Sequence, residues 1–143
     1  MNQKKLNNKG FSLVELIVVI AIMAVLIGLL APQFIKYVNR SRYATDIKNG
    51  QEIATITQTL MADRVISGAA VTGQEYKEGG VVFNAAKANN LASETPKSKV
   101  KPSTGFFIDY DPATGSVKVY AQSAEAKNMV YPNLGDDYKD KAN

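Results

Sequence analysis

Apolar and polar positions divide unevenly along this chain. Residues 1–10 are polar and carry Lys4, Lys5 and Lys9 with no acidic side chain. From Leu16 to Ala31 the sequence is one unbroken apolar run. A helix apolar on every face is either buried in a protein or placed in a membrane, and the rest of a 143-residue chain is too small to surround it. Phe11 to Ala31 covers most of a bilayer at about 1.5 Å per residue. The helix is expected to begin near Phe11 and to continue past the run. Pro32 lies inside it and lacks the amide for an i→i−4 bond, while its ring clashes with the carbonyl of Gly28, itself a poor helix former. That pairing predicts a kink over residues 28–32.

From Gln33 the pattern becomes amphipathic. Tyr43, Ile47, Gly50, Ala54, Thr57 and Met61 recur at three- and four-residue spacing, with Ile53 and Leu60 beside them, which marks a helix face that packs on a sheet. Asn49-Gly50 is a turn signal within this helix, tolerable where a sheet packs closely. The helix is expected to stop by Ser67-Gly68, with Gly68 as its C-terminal cap. Residues 68–80 read as a surface loop. Val81-Val82-Phe83 is a strand or a helix entry, and Asn84 is a candidate cap for a short helix through Leu91. Phe106, Ile108 and Tyr110 alternate on one face, as do Val117, Val119 and Ala121 on the partner strand; Pro112–Gly115 lies between, so the pair reads as a β-hairpin. The tail from Ala124 offers one more strand and then loose residues. The resulting fold class is α+β: a long N-terminal helix, half membrane-spanning and half amphipathic, packed on a small antiparallel sheet.

Composition narrows the chemistry. There is no histidine and no cysteine, which removes Ser-His-Asp and Cys-His catalysis, His- or Cys-ligated zinc, disulfides and a lipid-modified cysteine. No paired acid and base converge in any motif, so no enzyme and no cofactor are expected. The net charge is +4, but without Lys4, Lys5 and Lys9 the balance falls to +1, 14 basic against 13 acidic residues. The basic character is mostly that of the first ten residues and carries no nucleic-acid signal.

A secretory signal peptide shares the charge-then-apolar layout but needs a small-x-small site after the run, where this chain has Leu29-Leu30-Ala31-Pro32. A plain membrane anchor leaves Glu15 unexplained. A mid-membrane carboxylate costs about 2.5–3.5 kcal/mol on insertion scales and is usually functional.

Lys9-Gly10-Phe11-Ser12-Leu13-Val14-Glu15 resembles the processing site shared by type IV pilins and type II secretion pseudopilins. The pattern is a basic leader ending in glycine, a phenylalanine, and a glutamate four residues later within the apolar run. The resemblance covers residues 1 to about 32. It implies a class III signal peptide: a leader, 1–10, removed between Gly10 and Phe11 by a membrane aspartyl peptidase that also methylates the new amine of Phe11. It further implies a transmembrane and filament-core helix, 11–32, and a pilin head, 33–143, with a helix half over 33–67 and a sheet region over 81–134. The i,i+4 spacing puts Phe11 and Glu15 on one helix face, where the Glu15 carboxylate of one subunit can meet the Phe11 amine of its own chain or the next. By the same resemblance, residues 28–32 unwind in a filament.

The function so implied is a structural subunit of a type IV pilus, made as an inner-membrane precursor and then polymerised with identical subunits into an extracellular filament. Its expected partners are the prepilin peptidase and methyltransferase, the assembly platform and the membrane. Adhesion, motility and DNA uptake remain open, as do host surface and nucleic acid as partners. Many Gram-negative pilins close a C-terminal loop with a cysteine pair; this cysteine-free head is nearer to Gram-positive major pilins. The alternatives are a pseudopilin of a secretion or competence system and a membrane-anchored binding domain that never polymerises. Asp109, Asp111, Asp136, Asp137 and Asp140 carry oxygen ligands of the kind calcium takes, but without EF-hand spacing, and no metal site is assigned. Tyr110, Tyr120, Tyr131 and Tyr138 are expected to pack rather than form a sticky surface. Asn39-Arg40-Ser41 matches a glycosylation sequon on a helix and is given no weight.

Overall fold

A computed structural model describes residues 10–142; Lys4, Lys5 and Lys9 of the expected leader lie outside the described residues. The chain divides into two compact units, the first ending at Tyr37 and the second starting at Val38. Helix α1, Leu13–Ala62, contributes to both.

Among the described residues of the first unit α1 is the only element, and it stays helical without a break through Gly28 and Pro32. Its large apolar side chains are all exposed, from Leu13 through Ile20 and Leu26 to Phe34 and Tyr37.

In the second unit the amphipathic stripe of α1 is buried: Gly50, Ile53, Ala54, Ile56, Thr57, Leu60 and Met61, joined by Asp46. Its end differs from the expectation of Ser67-Gly68. The helix stops at Ala62 because Arg64 takes a left-handed conformation, φ 56°. The Arg64 amide then donates to the Met61 carbonyl and the Val65 amide to that of Leu60, a Schellman closure. A non-glycine residue forms the cap, so the glycine signal pointed to the wrong place.

The sheet is four-stranded and antiparallel in the order β1-β2-β3-β4. The strands are β1, Val71–Glu75; β2, Phe106–Asp111; β3, Ser116–Ala121; and β4, Met129–Tyr131. The expected hairpin is β2 and β3, with Ile108 opposite Val119 and Tyr110 opposite Val117. Asp111 organises its turn, accepting from the Ala113 amide at 2.9 Å and the Thr114 hydroxyl at 2.8 Å, while Gly115 at φ 73° closes it. β1 corrects the loop reading of 68–80. As an edge strand with a register shift between Val71 and Gln74, and with Gly73 at φ 65°, it shows no alternation. Its Gly73 amide donates to Asp109 of β2 at 2.7 Å.

Between β1 and β2 lies α2, Val81–Ala88, which buries Val82, Phe83 and Ala86. The helix-entry reading of Val81 holds, but Gly80 is the cap and Asn84 lies inside the helix. The hydrophobic core joins Ile53 and Leu60 of α1 to Phe83, Phe106, Ile108, Val119 and Val130. At Gly50 helix and sheet approach closely: a Cβ there would collide with Val130 Cγ2 and sit 3.7 Å from Val119. The glycine is therefore required by packing, as its position on the stripe suggested. Tyr110 and Tyr120 are buried, Tyr131 is half-buried and Tyr138 is fully buried.

The tail is tied down as far as Tyr138. Residues Asp136–Lys139 form the one-turn helix α3, and Tyr138 reaches a buried polar cluster centred on Asp46. Asp46 accepts from Ser98 Oγ and the Lys99 amide at 2.5 Å each and from the Tyr138 hydroxyl at 3.0 Å. Gln122 donates to that hydroxyl at 2.8 Å. This one carboxylate fastens the 98–100 segment and the C-terminal turn to α1.

Candidate processing and assembly site

The residues singled out at the N-terminus are accessible. Gly10 is exposed, and a Cβ placed on it meets nothing within 4 Å. Local packing in the folded chain therefore gives no reason for glycine at this position. Phe11 is 91% exposed and precedes the helix.

Ser12 is the N-cap of α1. Its backbone amide donates to Glu15 Oε2 at 2.7 Å, and the Glu15 amide donates to Ser12 Oγ at 3.2 Å. Its carbonyl accepts from Leu16 at 3.1 Å, the first helical bond. The two reciprocal bonds form a capping box, readable in the sequence as Ser12-Leu13-Val14-Glu15 but overshadowed there by the Phe11–Glu15 spacing. With Ser12 as the cap, Phe11 stands outside the helix, so the shared helix face expected of Phe11 and Glu15 is not formed here.

Glu15 is the only charged side chain between Phe11 and Ile35. Two features offset its poor fit with apolar surroundings: the bond to the Ser12 amide, and the partial positive charge of the helix N-terminus. Neither supplies a full counter-charge. The site as it stands can therefore accept a cation, and a free amine on Phe11 is the nearest one that cleavage would create. Gly28 has open space around it, and it and Pro32 lie on the exposed apolar stretch of α1, which is long and apolar enough to cross a membrane.

The acidic residues considered for calcium are used otherwise or dispersed. Asp109 accepts from Gly73 and from the Tyr120 hydroxyl at 2.7 Å each, and Asp111 is committed to its turn. Among the described residues no three acidic side chains gather as metal ligands would.

Comparison with known proteins agrees with these observations. Residues 5–31 match the family described as the prokaryotic N-terminal methylation motif. The chain is 29% identical over 123 residues to prepilin peptidase-dependent protein A of Clostridium perfringens, covering 80% of this chain and 85% of that protein. It is 26% identical over 130 residues to the type IV major fimbrial protein FimA of Dichelobacter nodosus, covering 90% of this chain and 73% of that one. Fimbrial protein EcpC of Eikenella corrodens is 34% identical over 97 residues, 63% of each chain. No solved structure matches significantly. The methylation motif, the fimbrial relatives and the apolar helix leading into a four-stranded antiparallel sheet together support a type IV pilin.

Proposed function

We propose that the chain is made as a membrane-held precursor, cut between Gly10 and Phe11, methylated on the Phe11 amine and polymerised through residues 11–32 into an extracellular type IV pilus. The observation that carries this reading is the exposed apolar stretch of α1, which opens with the methylation motif. A bilayer covers such a surface before assembly, and copies of the same helix cover it afterwards. The partners follow: a prepilin peptidase and methyltransferase, an assembly platform, the membrane, and identical subunits.

Glu15 has a specific part in this scheme. Once Phe11 carries a free amine, the carboxylate has a cation to meet, in its own chain or on the next subunit. Pairing offsets the desolvation of both charges and fixes the axial register of the helical bundle. The stretch between Gly28 and Pro32, where a backbone bond is already missing, is the segment that loosens when subunits pack. The filament serves adhesion, motility or DNA uptake, and these tasks need separate assays in the source cell.

The test is Glu15→Ala in cells that express the peptidase. The expected result is normal removal of residues 1–10 with loss of most surface filament, read by immunoblot of sheared and cell-bound fractions. Normal piliation in this variant overturns the role given to Glu15. Short filaments confined to the cell envelope in the unsubstituted strain would instead support a pseudopilin.

A further inference from the structure

A second feature lies in the head and uses none of the N-terminal residues. Between residues 49–56 of α1 and the 92–96 segment is a cleft of about 240 Å³. Its walls include Ile53 and Ile56, and its polar groups include Asn49, Glu52, Glu94 and Tyr76. Tyr76 is only 3% exposed, yet its hydroxyl has no hydrogen-bond partner. Buried hydroxyls are nearly always paired, and an unpaired one calls for an explanation. The ring itself is well held. Its backbone amide donates to the Phe106 carbonyl at 2.8 Å, and Phe83 packs edge-on at a centroid distance of 5.4 Å. The hydroxyl is thus fixed in place before any ligand arrives.

Glu52 and Glu94 are exposed carboxylates at the same cleft. Among the described residues the acidic partners in ion pairs are Glu75, Glu78 and Glu125, so neither cleft carboxylate is neutralised. The Tyr76 hydroxyl is pushed up to about 12, by burial first and by the charge of Glu52 second. It stays neutral at physiological pH and keeps its lone pairs for an incoming donor.

We propose that this cleft binds a primary ammonium group, held by the Glu52 and Glu94 carboxylates and the Tyr76 hydroxyl. An ammonium has three donors and no acceptor, matching a site that offers two unpaired carboxylates and an unpartnered oxygen. Charge-assisted bonds of this kind are the stronger class. The aliphatic walls suit the carbon stem that carries the amine. The volume is below that of pockets for drug-sized ligands, about 300–1,000 Å³, so the site takes one amine-bearing side chain or one amino-sugar ring. The source is a lysine of a second copy of this chain, which rests on the filament reading above; an amino sugar is the contrary outcome of the test.

The test is a ligand-observed NMR titration of the full-length protein in detergent micelles with n-butylamine and glucosamine. The controls are n-butanol and N-acetylglucosamine, which lack the ammonium. The expected result is binding of the amines and none of the controls. Tyr76→Phe and Glu52→Gln should each weaken it by about tenfold, the effect of losing one hydrogen bond to a charged group. Tyr76→Phe should leave the unfolding midpoint unchanged or raised, since its hydroxyl has no partner to lose in the free protein. Amines that bind no better than the controls, or an amine affinity indifferent to both substitutions, overturn the proposal. The source is read separately. A zero-length carbodiimide cross-link between a lysine and Glu52 or Glu94 in assembled filaments marks a second copy. Its absence, with glucosamine binding more tightly than n-butylamine, marks an amino sugar.

Discussion

Replacing Asp46 by alanine removes the acceptor at the centre of the buried cluster. The donors it serves are Ser98 Oγ and the Lys99 amide at 2.5 Å, the Tyr138 hydroxyl at 3.0 Å and the Val100 amide at 3.4 Å. The last is too long to count for much. Asp46, Ser98 and Tyr138 are all 0% exposed, so neither hydroxyl regains water when the carboxylate goes, and each hydroxyl proton is left without an acceptor at about 1–2 kcal/mol. Lys99 is exposed, so its amide can turn to solvent at about 1 kcal/mol or less. The expected loss is about 2–5 kcal/mol, a large part of the roughly 5–15 kcal/mol that holds a domain together. Asp46→Asn keeps one acceptor but turns an NH₂ toward donors, and should lose about half as much. Urea unfolding of the full-length protein in detergent, followed by tyrosine fluorescence, reads the change. With a denaturant slope of about 1–3 kcal/mol per molar, the alanine variant's midpoint should fall by roughly 0.7–5 M. Hydrogen exchange should also speed up at Lys99 and along α3. A loss below about 1 kcal/mol, with exchange at α3 unchanged, would refute the claim that Asp46 ties the tail and the 98–100 segment to α1.

Other consequences follow from the head. Gly50→Ala puts a methyl into Val130 and should destabilise by about 1–3 kcal/mol, measured by the same urea titration; an unaffected midpoint would show that β4 shifts away freely. Tyr76 and Tyr120 are pushed up to about 12, chiefly by burial, with the Asp109 hydrogen bond adding to the shift at Tyr120; burial pushes Tyr138 up as well. Their folded values lie above the unfolded value of about 10, so their contribution to stability is complete below about pH 10 and is lost as pH rises to about 12. Tyrosinate absorbance should therefore show some of the seven tyrosines titrating late, together with alkaline unfolding. Titration of all seven in one step near pH 10 without unfolding would contradict this.

How much of this was legible in the sequence depended on whether the signal was local. The Gly10–Glu15 pattern, the apolar run and the alternating hairpin are each contained in a short window, and the structure shows the corresponding run and hairpin. The stripe on α1 was also readable, including the glycine that faces Val130. The Asp46 cluster was not, because its partners Ser98 and Tyr138 lie 52 and 92 residues away and a lone aspartate on a helix looks like a solvated charge. β1 was missed because its bulge at Gly73 breaks the two-residue period, and the end of α1 because Arg64 adopts a conformation usually left to glycine. At the N-terminus the Ser12–Glu15 box was present in the sequence, but the Phe11–Glu15 spacing drew the reading to a helix face that Ser12 cuts short.

In the proposed scheme the N-terminal helix, freed of its leader, builds a filament. The most direct measurement is the intact mass and N-terminal sequence of the protein in filaments sheared from cells. The account predicts long fibres whose subunit begins at Phe11 and carries one methyl group on its amine. A cell-bound chain that keeps Met1 to Gly10 and forms no fibres would contradict it.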